Sequence, residues 1–202
     1  MNGDGAAPAQ AAAAKPAPPE PSEPARGVII RASREADMPA VHRIYAHHVM
    51  HGFGSFEEEP PDLAELMRRR ADYLGRRLPY LVAEREGRVV GYAYAGPWRT
   101  RTAYRYTVEN SIYVDPAEAR HGIGRKLLGE LIAQCTALGF RQMIAVIGDS
   151  GNTPSIKLHE AMGFVHAGNL RNVGRKKGRW LDSVMMQRTL GEGAATEPKE
   201  KA

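Results

Sequence analysis

Val114-Asp115-Pro116-Ala117-Glu118-Ala119-Arg120-His121-Gly122-Ile123-Gly124-Arg125, running on into the apolar stretch 126–137, decides how the rest of this chain is read. A β-rich run, 107–114, stops at Asp115-Pro116; a loop with two glycines turns, and a helical periodicity begins. The first backbone N–H groups of a helix have no partner inside it and carry the positive end of its dipole. Gly122 and Gly124 lack a Cβ, so an anion can approach that backbone closely, and a pyrophosphate suits such a place. The Rossmann fingerprint asks for a third glycine three residues beyond Gly124, where Leu127 stands, so a dinucleotide fold is disfavoured; the P-loop pattern is absent as well. Taken alone, the turn supports either an anion site or a plain tight strand-to-helix connection.

Outward from this turn the elements alternate. A short strand is expected over 28–31 and a helix over 35–51, where Met38, Val41, Ile44, Tyr45, His48 and Val49 recur at helical spacing and Asp37-Met38-Pro39 suits a helix start. A loop follows, and then an Arg-rich amphipathic helix over 62–77. Strands over 80–85 and 89–95 flank Glu86-Gly87-Arg88, a hairpin signal. Beyond strand 107–114, a helix spans 122–139, and 143–147 is a near-continuous apolar strand, as expected where both faces are covered. A helix over 153–162 ends at Gly163, and strands near 164–168 and 180–189 complete an α/β fold. The sheet is expected to be mixed and mostly antiparallel, with helices on both faces.

Residues 1–26 are Ala, Pro, Gly and Glu with almost nothing large and apolar, so they cannot bury enough surface to offset their ordering entropy. They lack the apolar core of a secretory signal, and their few basic residues do not suit a mitochondrial presequence. A second frayed tail is expected over 191–202, which leaves one folded domain over 27–190, within the capacity of a single core. No apolar run approaches the about 18 residues that cross a bilayer. The single cysteine, Cys135, excludes an internal disulfide and fits a reducing compartment, the cytoplasm. It sits in an apolar helical pattern with no base beside it and reads as a small core residue. The net charge of +5 favours polyanions, a nucleotide cofactor among them. The arginines are scattered among acidic neighbours with no aromatic-and-basic stacking motif, so nucleic-acid binding is not expected, and 68–70 and 175–177 read as solvated faces. His47, His48 and His51 form no metal-like spacing with carboxylates, and no metal is expected.

The order strand, glycine turn, helix, buried strand and then Gly151-Asn152-Thr153-Pro154-Ser155-Ile156-Lys157-Leu158-His159-Glu160-Ala161-Met162-Gly163-Phe164 resembles the cofactor half of the GNAT superfamily of acyl-CoA N-acyltransferases, over roughly 28–189. The resemblance implies a GNAT fold, with central strands splayed at the cofactor, and acetyl-CoA as co-substrate. Its pantetheine arm would pair with the exposed strand edge at Ile112, Tyr113 and Val114. Arg120, His121, Gly122, Ile123, Gly124 and Arg125 would cradle the pyrophosphate, and Asn152 and Ser155 would contact the CoA arm. One departure stands out: Ala119 occupies the place where the family usually has Gln or Arg, and Arg120 and Arg125 are left to supply charge.

A second set of blocks is similar to the phosphinothricin acetyltransferases and their methionine sulfone and sulfoximine relatives. These are Gly91-Tyr92-Ala93-Tyr94-Ala95-Gly96-Pro97-Trp98-Arg99-Thr100-Arg101-Thr102-Ala103-Tyr104, Thr107-Val108-Glu109-Asn110-Ser111-Ile112-Tyr113-Val114, Phe53-Gly54-Ser55-Phe56-Glu57 and Gly178-Arg179-Trp180-Leu181-Asp182-Ser183. The resemblance implies an N-acetyltransferase of small amino acid analogues, an antibiotic- or herbicide-resistance activity, and a homodimer. An acceptor ammonium must lose a proton before it attacks a thioester. Glu109, mid-strand at the expected splay, suits a general base whose apolar surroundings raise its pKa; its other reading is a surface or salt-bridged glutamate. Arg99, Arg101 and Tyr104, with Asn110, would bind the acceptor's carboxylate and phosphinate or sulfone; otherwise the three are a solvated loop. Phe53 and Phe56 would wall its side-chain pocket, or simply pack a long loop. His159 stands where many GNAT enzymes carry Tyr, and would return a proton to the leaving thiolate or be a held, non-reacting residue. Direct transfer is expected, with a backbone N–H near Tyr113 or Val114 facing the thioester oxygen. The other readings are a protein or peptide lysine or N-terminal acetyltransferase, and an acyl-CoA-binding regulator without catalysis.

Overall fold

A computed structural model describes residues 27–198; the expected N-terminal tail, 1–26, and the last four residues lie outside the described residues. The chain runs β1 (Val28–Ala32), α1 (Met38–His51), α2 (Leu63–Gly75), β2 (Tyr80–Arg85), β3 (Arg88–Pro97), β4 (Thr107–Val114), α3 (Ile123–Ala137), β5 (Gln142–Gly148), α4 (Thr153–Ala161), β6 (Val165–Lys176) and β7 (Arg179–Thr189). The seven strands form one sheet in the order β1-β2-β3-β4-β5-β7-β6, antiparallel at every pair except β4 with β5.

That parallel pair joins two halves of the sheet along very little backbone. Thr107 to Asn110 pair with Gln142 to Ala145, and there the ladder ends. β4 continues to Val114 against β3, and β5 continues to Gly148 against β7. The two central strands therefore part after Asn110 and Ala145, leaving the facing edge of residues 111–114 without a ladder partner. This is the expected splay.

Strand periodicity sorts the side chains of β4. Val108, Ile112 and Val114 join the aliphatic cluster under α3, built on Ile123, Leu127, Leu128, Leu131 and Met143. Each fully buried Leu there contributes about 1.5–3 kcal/mol by leaving water. Tyr113 joins the opposite cluster, under α1 and α2, with Met38, Val41, Ile44, Leu66, Tyr80 and Tyr92. Aromatic rings dominate this second face: Tyr73 stacks on Tyr94 at 4.9 Å, Tyr94 on Tyr80 at 5.2 Å, Tyr92 on Tyr113 at 5.1 Å, and Tyr45 meets Tyr113 edge-on at 5.0 Å. Glu109 and Ser111 share the Tyr113 face by the same alternation.

Three boundaries differ from the sequence expectation. The helix expected over 35–51 splits into a single 3-10 turn, Glu35–Asp37, and α1, with Pro39 in the first turn of α1, where no N–H is required. β6 is far longer than 164–168; it is the edge strand, exposed along most of its length, and carries two register shifts. The frayed end expected from Gly191 is, through residue 197, pinned instead. Arg141 donates to the Gly193 carbonyl at 3.3 Å, to Thr196 Oγ1 at 3.1 Å and to the Glu197 carbonyl at 3.2 Å.

Candidate active site

The splay opens into a cleft of about 640 Å³. Its walls are β4 from Asn110 to Val114, the turn that carries Ala119, Arg120, Gly122, Ile123, Gly124 and Arg125, and β5 from Ala145 to Gly148. Asn152, Ser155, Leu158 and His159 close it from α4, and Gly52, Phe53 and Gly54 from the α1–α2 loop.

The two glycines of the turn are required for different reasons. Gly122 caps α3 at φ 76° with open space around it, and no side chain caps that helix end. The first N–H groups of α3 therefore stay available to an anion, which is the property a pyrophosphate needs. Gly124 instead lies where a Cβ would come within 3.2 Å of Leu158 Cδ2, so its glycine lets α3 and α4 pack closely. Arg120 sits at φ 65° and lines the cleft together with Arg125. The carboxylate of Glu118, also in the wall, is met by Arg85 at 2.9 Å and Arg88 at 3.7 Å, so the acid beside the phosphate turn is neutralised. Of the turn residues expected to cradle pyrophosphate, His121 does not line the cleft. It turns toward Glu118, 3.9 Å away, and its Nδ1 is buried without a hydrogen-bond partner among the described residues.

Asn152 accepts from the Ser155 N–H at 3.4 Å and so caps α4 while facing the cleft. His159, 4% exposed, sits between two oxygens: Nδ1 is 2.8 Å from the Ser155 carbonyl and Nε2 is 3.0 Å from Asn110 Oδ1. A neutral imidazole has one N–H, so in this arrangement the ring satisfies both only as the imidazolium. Burial pushes its pKa down, opposed by the hydrogen bond to Ser155. Asn110 donates its Nδ2 to the Ile144 carbonyl at 3.0 Å, at the last rungs before the strands part. The expected acceptor ligand is thus turned to the α4 face, where it ties β4 to β5 and to His159.

Glu109 lies one residue before the splay, on the opposite face, and is not part of the cleft wall. It is half-buried, and no hydrogen bond or ion pair engages its carboxylate among the described residues. Burial is the sole cause that raises its pKa. Gly96, its partner across β3, has no Cβ and lets the Tyr73 ring approach to within 3.4 Å of where one would stand.

Arg99, Arg101 and Tyr104 are exposed in the loop between β3 and β4, outside the cleft wall. That loop opens beside Val108, the neighbour of Glu109, and the Arg99 guanidinium lies 5.3 Å from the Trp98 ring and 5.9 Å from Tyr104. Phe53 lines the cleft, with Arg179 4.6 Å from its ring; Phe56 stands outside.

Two site residues were not singled out in the sequence. His48 of α1 lines the cleft and hydrogen-bonds the Val114 carbonyl at 2.8 Å, with its pKa lowered mainly by burial. The helical pattern of α1 turns it inward with Tyr45 and Val49 but gives it no role in the site. Gly148 ends β5 where a Cβ would lie 2.4 Å from the Phe53 carbonyl oxygen, so the α1–α2 loop can cross there only over glycine. Among the described residues no group of three His, Cys, Asp or Glu side chains could hold a metal ion, and no helix is long and apolar enough to cross a membrane.

Comparison with known proteins agrees with this geometry. Residues 30–185 match the model of the acetyltransferase (GNAT) domain. A phosphinothricin N-acetyltransferase of Alcaligenes faecalis is 54% identical over 84% of this chain and 86% of its own. An L-methionine sulfoximine/L-methionine sulfone acetyltransferase of Salmonella typhimurium is 42% identical over 83% of this chain and 98% of its own. The crystal structure of a GNAT superfamily phosphinothricin acetyltransferase from Sinorhizobium meliloti in complex with AcCoA superposes with a TM-score of 0.84 at 48% identity, covering 86% of this chain and 94% of that one. With a splayed sheet, an uncapped helix start and a match over nearly all of its described residues, the chain belongs to the GNAT family of acetyl-CoA-dependent N-acetyltransferases.

Proposed function

We propose that the enzyme acetylates the amino group of a small amino acid analogue of the phosphinothricin, methionine sulfoximine or methionine sulfone type, by direct transfer with Glu109 as general base. The observation that carries the base is a half-buried carboxylate with a raised pKa and no counter-ion among the described residues, one residue from the splay. The acceptor class rests on the named activities of the relatives.

Acetyl-CoA supplies the acetyl group as a thioester. The open edge at Ile112, Tyr113 and Val114 binds its pantetheine arm, and the start of α3 with Arg120 and Arg125 binds its phosphates. Asn152 and Ser155 contact the arm from α4. The Glu109 carboxylate attracts the acceptor ammonium and removes its proton, leaving the amine free to attack. Arg99, Arg101 and Tyr104 bind the acceptor's carboxylate and its phosphinate or sulfone oxygens, with guanidinium forks suited to such groups. A backbone N–H near Tyr113 or Val114 faces the thioester oxygen. His159 holds the proton that the departing thiolate takes up. Phe53 and Phe56 wall the acceptor's side chain.

The enzyme works in the cytoplasm as a homodimer, a state supported by the exposed Val165, Leu170, Val173 and Trp180 on the last two strands and tested by sedimentation of the purified protein. Capping the amino group of a herbicide-like amino acid would give its host resistance. Incubation with acetyl-CoA and each of phosphinothricin, methionine sulfoximine and methionine sulfone should release free CoA. Greater turnover on lysine peptides than on any of the three, or tight CoA binding with no turnover on any amine, would overturn the proposal.

A further inference from the structure

The α1–α2 loop, residues 52–61, reaches across the splay and is gripped from its far side by the edge hairpin of β6 and β7. Lys176 is 2% exposed, and its Nζ donates to the Ser55 carbonyl at 2.8 Å. Burial strips this ammonium of hydration and pushes its pKa down, an effect that Glu57 and Glu58 only oppose. An apolar residue would fill the same space without that loss, so the contact with the loop is what the lysine provides. Ser55 is a knot in the loop: its Oγ lies 3.0 Å from the Tyr45 hydroxyl and accepts from the Glu57 N–H at 3.2 Å. Glu57 is in turn held by Arg69 of α2 at 2.6 Å.

Two residues before Lys176, Gly174 carries the ring of Phe56. A Cβ on Gly174 would stand 2.5 Å from Phe56 Cε2 and 2.8 Å from Cδ2. Gly174 is not among the glycines of left-handed φ, so its backbone does not call for glycine; the aromatic ring does. Lys177 adds a hydrogen bond to the Met50 carbonyl, and Arg179 lies over Phe53. Neither Gly174 nor Lys176 lines the cofactor cleft.

We propose that Gly174 and Lys176 are positioning residues that set the acceptor specificity: by fixing Phe56 and Ser55 they decide which side chains an acceptor can carry. This rests on the reading that Phe53 and Phe56 wall the acceptor pocket. A methyl group at 174 pushes the ring off β6 into the space in front of it, and loss of the Lys176 donor releases the Ser55 turn. Both changes act on the acceptor and leave the phosphate turn untouched.

The test is steady-state kinetics with phosphinothricin and methionine sulfone on Gly174→Ala, Lys176→Met and Phe56→Ala, each checked for folding by thermal melting. Gly174→Ala should raise an acceptor KM about 10-fold and change the ratio of kcat/KM between the two acceptors about 5-fold, with the acetyl-CoA KM within about 2-fold of wild type. Introduced into Phe56→Ala, the Gly174→Ala change should have no further effect on that ratio, because the ring it displaces is gone. Lys176→Met, which nearly keeps the side-chain volume, should shift the ratio in the same experiment and carries the test alone if Gly174→Ala does not fold. A wild-type ratio in Gly174→Ala and Lys176→Met, beside a changed one in Phe56→Ala, overturns the positioning role and leaves the pocket standing. An unchanged ratio in Phe56→Ala overturns the pocket reading itself.

Discussion

Asp37 and Glu109 are both carboxylates drawn away from water, and the fold treats them in opposite ways. Asp37, in the turn before α1, receives both terminal nitrogens of Arg31 at 2.7 and 2.8 Å and the Arg34 N–H at 2.7 Å. The Arg31 guanidinium, which also reaches Glu84 at 2.8 Å, holds the Asp37 carboxyl below the usual carboxylate range. Glu109 has no such partner among the described residues, and burial alone moves it upward. A depressed folded pKa means that the charge on Asp37 stabilises the fold above the ordinary Asp pKa, and that this is lost as pH falls through the lowered value. A raised one means that ionising Glu109 costs stability, and that the cost appears as pH rises from the ordinary Glu value through the raised one. One carboxylate is closed off by the fold and serves it; the other is left open at the fold's expense, the arrangement the proposed base would need.

Substitutions that remove each charge should separate the two roles. The largest effect belongs to Glu109→Gln. Its kcat should fall by about 10²–10⁴-fold with acetyl-CoA affinity kept, while its melting temperature at pH 7 is no lower than wild type. A variant that melts lower and turns over normally would make Glu109 another structural acid. Asp37→Asn should do the reverse, losing about 2–3 kcal/mol of stability by denaturant midpoint because Arg31 is left partly unpaired, with kcat per folded molecule retained. A smaller effect is expected where neither carboxylate is touched. Gly122→Ala places a side chain at φ 76°, a strain of about 1 kcal/mol, and should raise the acetyl-CoA KM a few-fold with the acceptor KM unchanged. If the acceptor KM moves instead, the phosphate turn and the acceptor side are not separate.

Much of this is legible in the sequence, and what is not has physical reasons. The bounds of β2 and of β4 agree with the sequence reading because punctuation flanks them, Glu86-Gly87 after the first and Asp115-Pro116 after the second. β6 has no such signature: an edge strand exposed on both faces needs no alternation, so its pattern reads as loop. The tight turn that ends it is made by Lys177-Gly178, both of left-handed φ, in a stretch whose basic residues read as a solvated face. The glycine turn was readable because a phosphate is held mainly by backbone, and glycine is how sequence marks exposed backbone. The period of a strand puts Asn110, expected at the acceptor, on the face opposite its neighbour Glu109, and His159 holds it there. The periodicity of α1 turns His48 toward the sheet, but not toward any particular partner, since its contact with Val114 spans 66 residues and depends on how α1 lies there.

Whether Glu109 is the base is decided by the pH dependence of kcat/KM for the acceptor, measured for wild type and for Glu109→Gln under the same conditions. Wild type should show an ascending limb from a group that titrates above the ordinary glutamate value, and Glu109→Gln should lose it together with most of the rate. The same ascending limb in both proteins, at comparable rates, would contradict that assignment of the base.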